Sequence, residues 1–136
     1  MRAVKLTKCA GRFVLQSPGV HVVHNGSCHC GKVAFTVEGD IQQVMECNCS
    51  HCRRKGYFLW FVPAEKMTMS TPDSALSTYT FNKHAIQHMF CSTCGCAPFG
   101  RGKNKQGNAT AAINVRCLPE VEFSSLKIVP VDGKSF

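Results

Sequence analysis

The sequence predicts an all-β fold whose only helical content is short turns, and three observations carry that reading. No segment of about 12 residues keeps a clean 3.6-residue hydrophobic period. Short apolar or alternating runs recur between Gly, Pro, Asn and Ser breakers. The cysteines gather in tight groups at or beside those breakers.

Taken in order, Val20 to His24 is the first predicted strand and Lys32 to Glu38 (KVAFTVE) the second. Between them lies Asn25-Gly26-Ser27-Cys28-His29-Cys30-Gly31, a turn-rich stretch that places Cys28 and Cys30 at a hairpin tip. Gln43 to Asn48 and Tyr57 to Val62 (YFLWFV) read as the third and fourth strands, closed by Pro63, after which Pro63 to Met67 suits one helical turn. Leu76 to Phe81 and Ile86 to Cys91 form the fifth and sixth, joined by Asn82-Lys83-His84-Ala85. Gly100 to Asn108, rich in Gly, Lys and Asn, reads as a loop; Ala109 to Val115 and Leu126 to Val131 supply the last strands. The β-like pattern begins after the Ser17-Pro18-Gly19 breaker. Residues 1–19 are therefore expected to be a basic N-terminal extension, and residues 20–136 a single β domain.

With 136 residues the chain has the length of one ordinary domain. The first twenty residues carry Arg2, Lys5, Lys8 and Arg12 and no uninterrupted apolar stretch, so no secretory signal is read there. Nothing approaches the roughly 20 apolar residues of a membrane span. A cytoplasmic location is the simplest expectation, and there thiols stay reduced and serve as ligands or nucleophiles. The formal net charge of +8 treats the cysteines as neutral. Seven ligating thiolates with two divalent ions would lower it to about +5. Several of the remaining positive charges lie in the extension, so a nucleic-acid partner does not follow from charge alone.

Ten cysteines are the outstanding feature. They form Cys28-x-Cys30, Cys47-x-Cys49-x-x-Cys52 and Cys91-x-x-Cys94-Gly95-Cys96, with Cys9 and Cys117 apart. A C-x-C pair is awkward for an internal disulfide, since its ring is small and strained. In a C-x-x-C-G knuckle the glycine takes positive φ and lets backbone N–H groups approach the sulfurs. Cys28 and Cys30 with Cys91 and Cys94 make the best four-sulfur zinc site, closing a loop of about sixty residues. Exchange of Cys47 or Cys49 into that site stays open on spacing alone. The remaining Cys47, Cys49 and Cys52 offer three sulfurs and a vacant position, as catalytic zinc requires. The competing arrangement fills that position with Cys96, His51 or Cys117.

Arg53, Arg54 and Lys55 follow Cys52 directly. A charge run is by default a solvated surface, but cations here would lower thiol pKa values and draw an anionic substrate. Arg101, Lys103 and Lys105 read as a solvated loop, and His29 and His51 as exposed loop residues rather than ligands.

The segments GSCHCGKVAFTVEG (26–39), CNCSHCRRKG (47–56) and MFCSTCGCAPFG (89–100) together resemble the glutathione-dependent formaldehyde-activating enzyme family, which includes the centromere-protein-V-like proteins. The resemblance spans about residues 22–131. It implies a zinc β-tent of folded-over antiparallel sheets, with structural zinc on Cys28, Cys30, Cys91 and Cys94. It implies a second, labile or catalytic zinc on Cys47, Cys49 and Cys52. It also implies addition of the glutathione thiol to formaldehyde, whose reverse is a carbon–sulfur lyase reaction. Cys47, Cys49 and Cys52 are then the expected catalytic residues, with Arg53, Arg54 and Lys55 neutralising the glutathione carboxylates. A non-catalytic zinc β-module that binds a macromolecular partner or nucleic acid is the competing expectation; a metal or aldehyde sensor is a third.

Overall fold

A computed structural model describes the backbone of residues 5–9 and 12–16, together with residues 22–135. The chain is mainly β, as the patterning predicts. Within the predicted extension, β1 (Lys5–Cys9) and β2 (Arg12–Gln16) pair antiparallel as a two-stranded unit. The Ser17-Pro18-Gly19 breaker lies outside the described residues, as do Val20 and His21 of the first predicted strand.

β3 (Val23–Ser27) and β4 (Ala34–Glu38) form a hairpin to which β7 (Met67–Met69) adds a third strand. Asn25-Gly26 lies inside β3 instead of in the turn. Gly26 is opposite Phe35, and a methyl group there would overlap the Phe35 ring and Leu118. Its role is close packing, which a turn signal in the sequence does not distinguish.

The larger sheet contains β5 (Gln43–Cys47), β6 (Leu59–Pro63), β8 (Leu76–Tyr79), β9 (Gln87–Cys91), β10 (Phe99–Lys103), β11 (Ala109–Asn114) and β12 (Lys127–Val131). Its spatial order is β12-β5-β6-β11-β10-β9-β8. The pairing is antiparallel except between β12 and β5, which run parallel from Lys127 beside Gln43 to Val131 beside Cys47. That pair departs from the purely antiparallel expectation, and it carries the C-terminal residues to the cysteines that follow β5. The predicted Gly100 to Asn108 loop is corrected as well. Its first half is β10, and the turn is confined to the residues after Lys103.

A six-residue helix, α1 (Ser50–Lys55), lies between β5 and β6. Short 3-10 turns occur at Ala64–Lys66, inside the predicted helical turn, and at Gly133–Ser135. No helix among the described residues is long and apolar enough to cross a membrane.

The core lies between the two sheets. Val33, just before β4, and Phe35 and Val37 of the three-stranded sheet meet Val44, Val62, Ile113 and Phe99 from the larger one. Phe35 and Phe99 pack edge to face with centroids 5.4 Å apart. Burying each such side chain stabilises the fold by about 1.5–3 kcal/mol. Because side chains alternate along a strand, this core uses only one face of the larger sheet.

Candidate metal centre and adjoining cleft

The turn between β3 and β4 presents Cys28 and Cys30, and the end of β9 with the turn after it presents Cys91 and Cys94. Their four sulfurs lie within 4.8 Å of one another. The Sγ atoms of Cys28 and Cys30 are 3.6 Å apart, as are those of Cys30 and Cys91. Four sulfurs at Zn–S distances of about 2.3 Å would be separated by about 3.8 Å in a tetrahedron, so spacing and softness both fit zinc.

Backbone donors surround the group. Val33 N–H donates to the Cys28 sulfur at 3.3 Å, while Thr93 and Cys94 N–H groups donate to Cys91 at 3.4 and 3.5 Å. Gly31 and Gly95 take φ of +85° and +78°, which lets these turns bend inward around the sulfurs. Backbone N–H groups directed at it from Cys30 and Cys96 draw the Cys94 thiol down to about 6. For Cys30, the Lys32 N–H pulls downward, but burial and the sulfurs of Cys28, Cys91 and Cys94 lift the thiol to about 11. Each ionised sulfur opposes ionisation of the next, and a divalent cation among them removes that conflict.

The second group is local in sequence. Cys47 ends β5, Cys49 caps α1, and Cys52 lies buried within α1; their sulfurs also fall within 4.8 Å of one another. Cys49 N–H donates to the Cys47 sulfur at 3.5 Å, and Cys52 N–H to the Cys49 sulfur at 3.3 Å. Burial acts against ionisation of Cys49, but the Cys52 N–H and the neighbouring sulfurs bring its thiol below the ordinary value. Burial pushes Cys52 upward. This donor set also fits a soft divalent ion. Among the described residues no fourth Cys, His, Asp or Glu joins the group.

The three candidates for that fourth position are engaged elsewhere. Cys96 and Cys117 pair with each other at an Sγ–Sγ distance of 3.6 Å, and Asn114 Nδ2 points to Cys117 at 3.7 Å. Burial and the Cys96 thiol push Cys117 up to about 12. His51 is half-buried among rings instead of exposed, with centroids 4.2 Å from His88 and 5.2 Å from Phe81. The side chain of Cys9 lies outside the described residues.

A C-terminal clamp holds the loop between Cys47 and Cys49. Asn48 Nδ2 donates to Asp132 Oδ1 at 2.9 Å, and Lys134 N–H donates to Asn48 Oδ1 at 3.0 Å. A methyl group on Gly133 would overlap the Cys47 sulfur. Sequence reasoning missed this clamp, because its contact with Cys47 depends on the parallel β12–β5 pairing.

The three sulfurs open into a cleft of about 530 Å³. Met45, Leu59, Phe61 and Ala112 contribute to its lining, with Tyr57 and Asn114 beside the cysteines. Burial and the neighbouring Cys52 push the Tyr57 phenol up to about 12, so it stays protonated. Arg53, Arg54 and Lys55 do not line this cleft. They are exposed in the last turn of α1, where Arg54 donates to Ser50 O at 2.8 Å and Lys55 lies over the Phe90 ring. Arg101 and Lys103 belong to β10 at the cleft, in place of the predicted solvated loop.

Residues 23–127 match the profile of the glutathione-dependent formaldehyde-activating enzymes. The chain belongs to that family. It is also similar to a Rhodobacter sphaeroides protein of known crystal structure, with 29% identity, a TM-score of 0.68, and coverage of 78% of this chain and 97% of that one. Both cysteine groups lie inside the family match. Asp132, Gly133 and Lys134 lie beyond it.

Proposed function

We propose that this family member is a zinc-dependent, carbon–sulfur lyase-type enzyme acting on adducts of glutathione, or a similar thiol, with a small aldehyde. The observation that carries the reading is a three-sulfur group that lacks a fourth protein ligand among the described residues and opens into a cleft. Cys28, Cys30, Cys91 and Cys94 hold a structural zinc; Cys47, Cys49 and Cys52 hold the second.

Zinc held by Cys47, Cys49 and Cys52 would supply a Lewis acid that favours the thiolate form of a substrate thiol. The chain does the positioning. Backbone N–H groups of Cys49 and Cys52 fix two of the sulfurs, and the cleft brings the aldehyde carbon against the bound thiol. The carbon–sulfur bond forms as the carbonyl π electrons move to oxygen. That oxygen takes up a proton equivalent to the one released by the thiol, and the Tyr57 phenol is a hydroxyl within the same cleft. Lyase cleavage is the reverse of these steps.

The test is formaldehyde–glutathione exchange followed by NMR with the zinc-loaded full chain. Wild type accelerates the exchange, whereas Cys49→Ser abolishes the acceleration and retains the β-sheet circular dichroism. An exchange rate unchanged by micromolar wild-type protein rejects the activity.

A further inference from the structure

The cleft is larger and more apolar than a one-carbon aldehyde requires. Formaldehyde is little larger than water, whose share of liquid volume is about 30 Å³. The cleft holds about 530 Å³, the size of a typical small-molecule site, and must also take the thiol partner, so the character of its lining rather than its volume selects the aldehyde.

Strand register explains its character. Directly opposed residues share a sheet face. Met45 is opposite Leu59, which is opposite Asn114; Phe61 is opposite Ala112, which is opposite Gly100. This is the face turned away from the core, since Val44, Val62, Ile113 and Phe99 alternate to the other side. An outer face of an antiparallel sheet ordinarily alternates to polar residues. Here it carries Met45, Leu59, Phe61 and Ala112, and Ile86 borders it. Phe61 and Ile86 remain 49% and 51% exposed.

Two cleft-lining positions of β10, Gly100 and Gly102, carry no side chain. Added methyl groups would project toward Gln87 O and Ile86, at 3.3 and 3.6 Å. The glycines thus leave a hollow beside Ile86. Arg101 and Lys103 also border the cleft from β10, and Arg101 is held 3.4 Å from Asp73 and over the Phe99 ring. The hollow beside Ile86 is therefore suited to a hydrocarbon chain.

We propose that the preferred substrate is a thiol adduct of an aldehyde bearing an apolar chain of several carbons, with that chain lying across Phe61, Ala112 and Gly100 toward Ile86. This rests on the enzyme reading above and sets its substrate class. The carbon–sulfur bond and the proton follow the same balance, and no oxidant or reductant is consumed. The reactive sulfurs at one end of the hollow, together with its small-molecule volume, favour this occupant over a second copy of the chain.

The test compares glutathione exchange with hexanal and with formaldehyde, each relative to its uncatalysed rate, using the zinc-loaded full chain. Each methylene withdrawn from water is worth about fourfold, so hexanal should be accelerated at least about tenfold more than formaldehyde. Phe61→Ser and Ile86→Ser should each lower that ratio. Val23→Ser, an exposed apolar position in the other sheet, should leave it unchanged. Equal acceleration, or a ratio unmoved by Phe61→Ser, overturns the proposal while leaving the enzyme reading intact. Acceleration of neither aldehyde overturns both. A dimer in sedimentation that Phe61→Ser dissociates, with no preference for hexanal, assigns the face to a second copy instead.

Discussion

The two cysteine groups use the same ligand chemistry on opposite structural plans. Cys28 and Cys30 come from a hairpin of the three-stranded sheet, and Cys91 and Cys94 from a turn of the larger one. Cys30 and Cys91 are 61 positions apart in the chain. A cation there joins the sheets and closes a long loop, so its binding free energy becomes folding free energy. Cys47, Cys49 and Cys52 lie within six residues of one another at the start of one short helix. A cation there closes almost no loop, and its loss leaves both sheets connected. The sequence distance between ligands thus separates a group whose metal would add directly to folding free energy from one whose metal would close almost no loop.

The largest effect tests the first half of that contrast. Cys91→Ser should prevent stable folding or lower Tm by more than about 15 °C, with zinc content falling in parallel. Structural zinc in small domains contributes about 10–16 kcal/mol, comparable with the whole stability of an ordinary domain. Thermal circular dichroism and elemental analysis read both quantities. A Cys91→Ser protein with wild-type Tm would break the comparison, because the sheets would then hold together without the four-sulfur site.

Much of this was legible in the sequence because it depends on local spacing and period-two alternation. Phe35 and Val37 in β4, separated by Thr36, announce a buried face by alternation alone. The four-sulfur grouping follows from two tight pairs whose turns point inward. What escaped notice was short or non-local. α1 is too brief to display a helical period. β10 was concealed by Gly100 and Gly102, residues that ordinarily mark loops, although here they hollow a sheet face. The parallel return of β12 joins residues more than eighty positions apart, and no local pattern records that pairing.

That same return sharpens the second half of the contrast. Gly133→Ala should leave Tm and the four-sulfur site nearly unchanged, since Gly133 touches the second group and not the core. Its methyl group would displace the Cys47 sulfur and weaken metal binding there by about 10-fold to 100-fold, the range for altered support around a metal ligand. Competition titration with a chromophoric chelator measures this directly. Unchanged affinity would mean that the C-terminal turn simply moves aside.

The smallest effect isolates hydrogen bonding from steric contact. Asn48→Ala removes the acceptor for Lys134 N–H and the donor to Asp132, and leaves the Asn48 N–H bond to Val131 O at 3.1 Å. Both freed groups are exposed and recover water, so each lost bond is worth about 0.5–1.5 kcal/mol. Metal affinity at the three-sulfur group should fall about 2-fold to 10-fold, less than for Gly133→Ala. The four-sulfur group, fixed by other turns, should keep its metal throughout the same titration. A drop at both groups would show that the C-terminal clamp supports the entire fold. A drop confined to the second would show that residues 132–134, beyond the family match, tune only the open group.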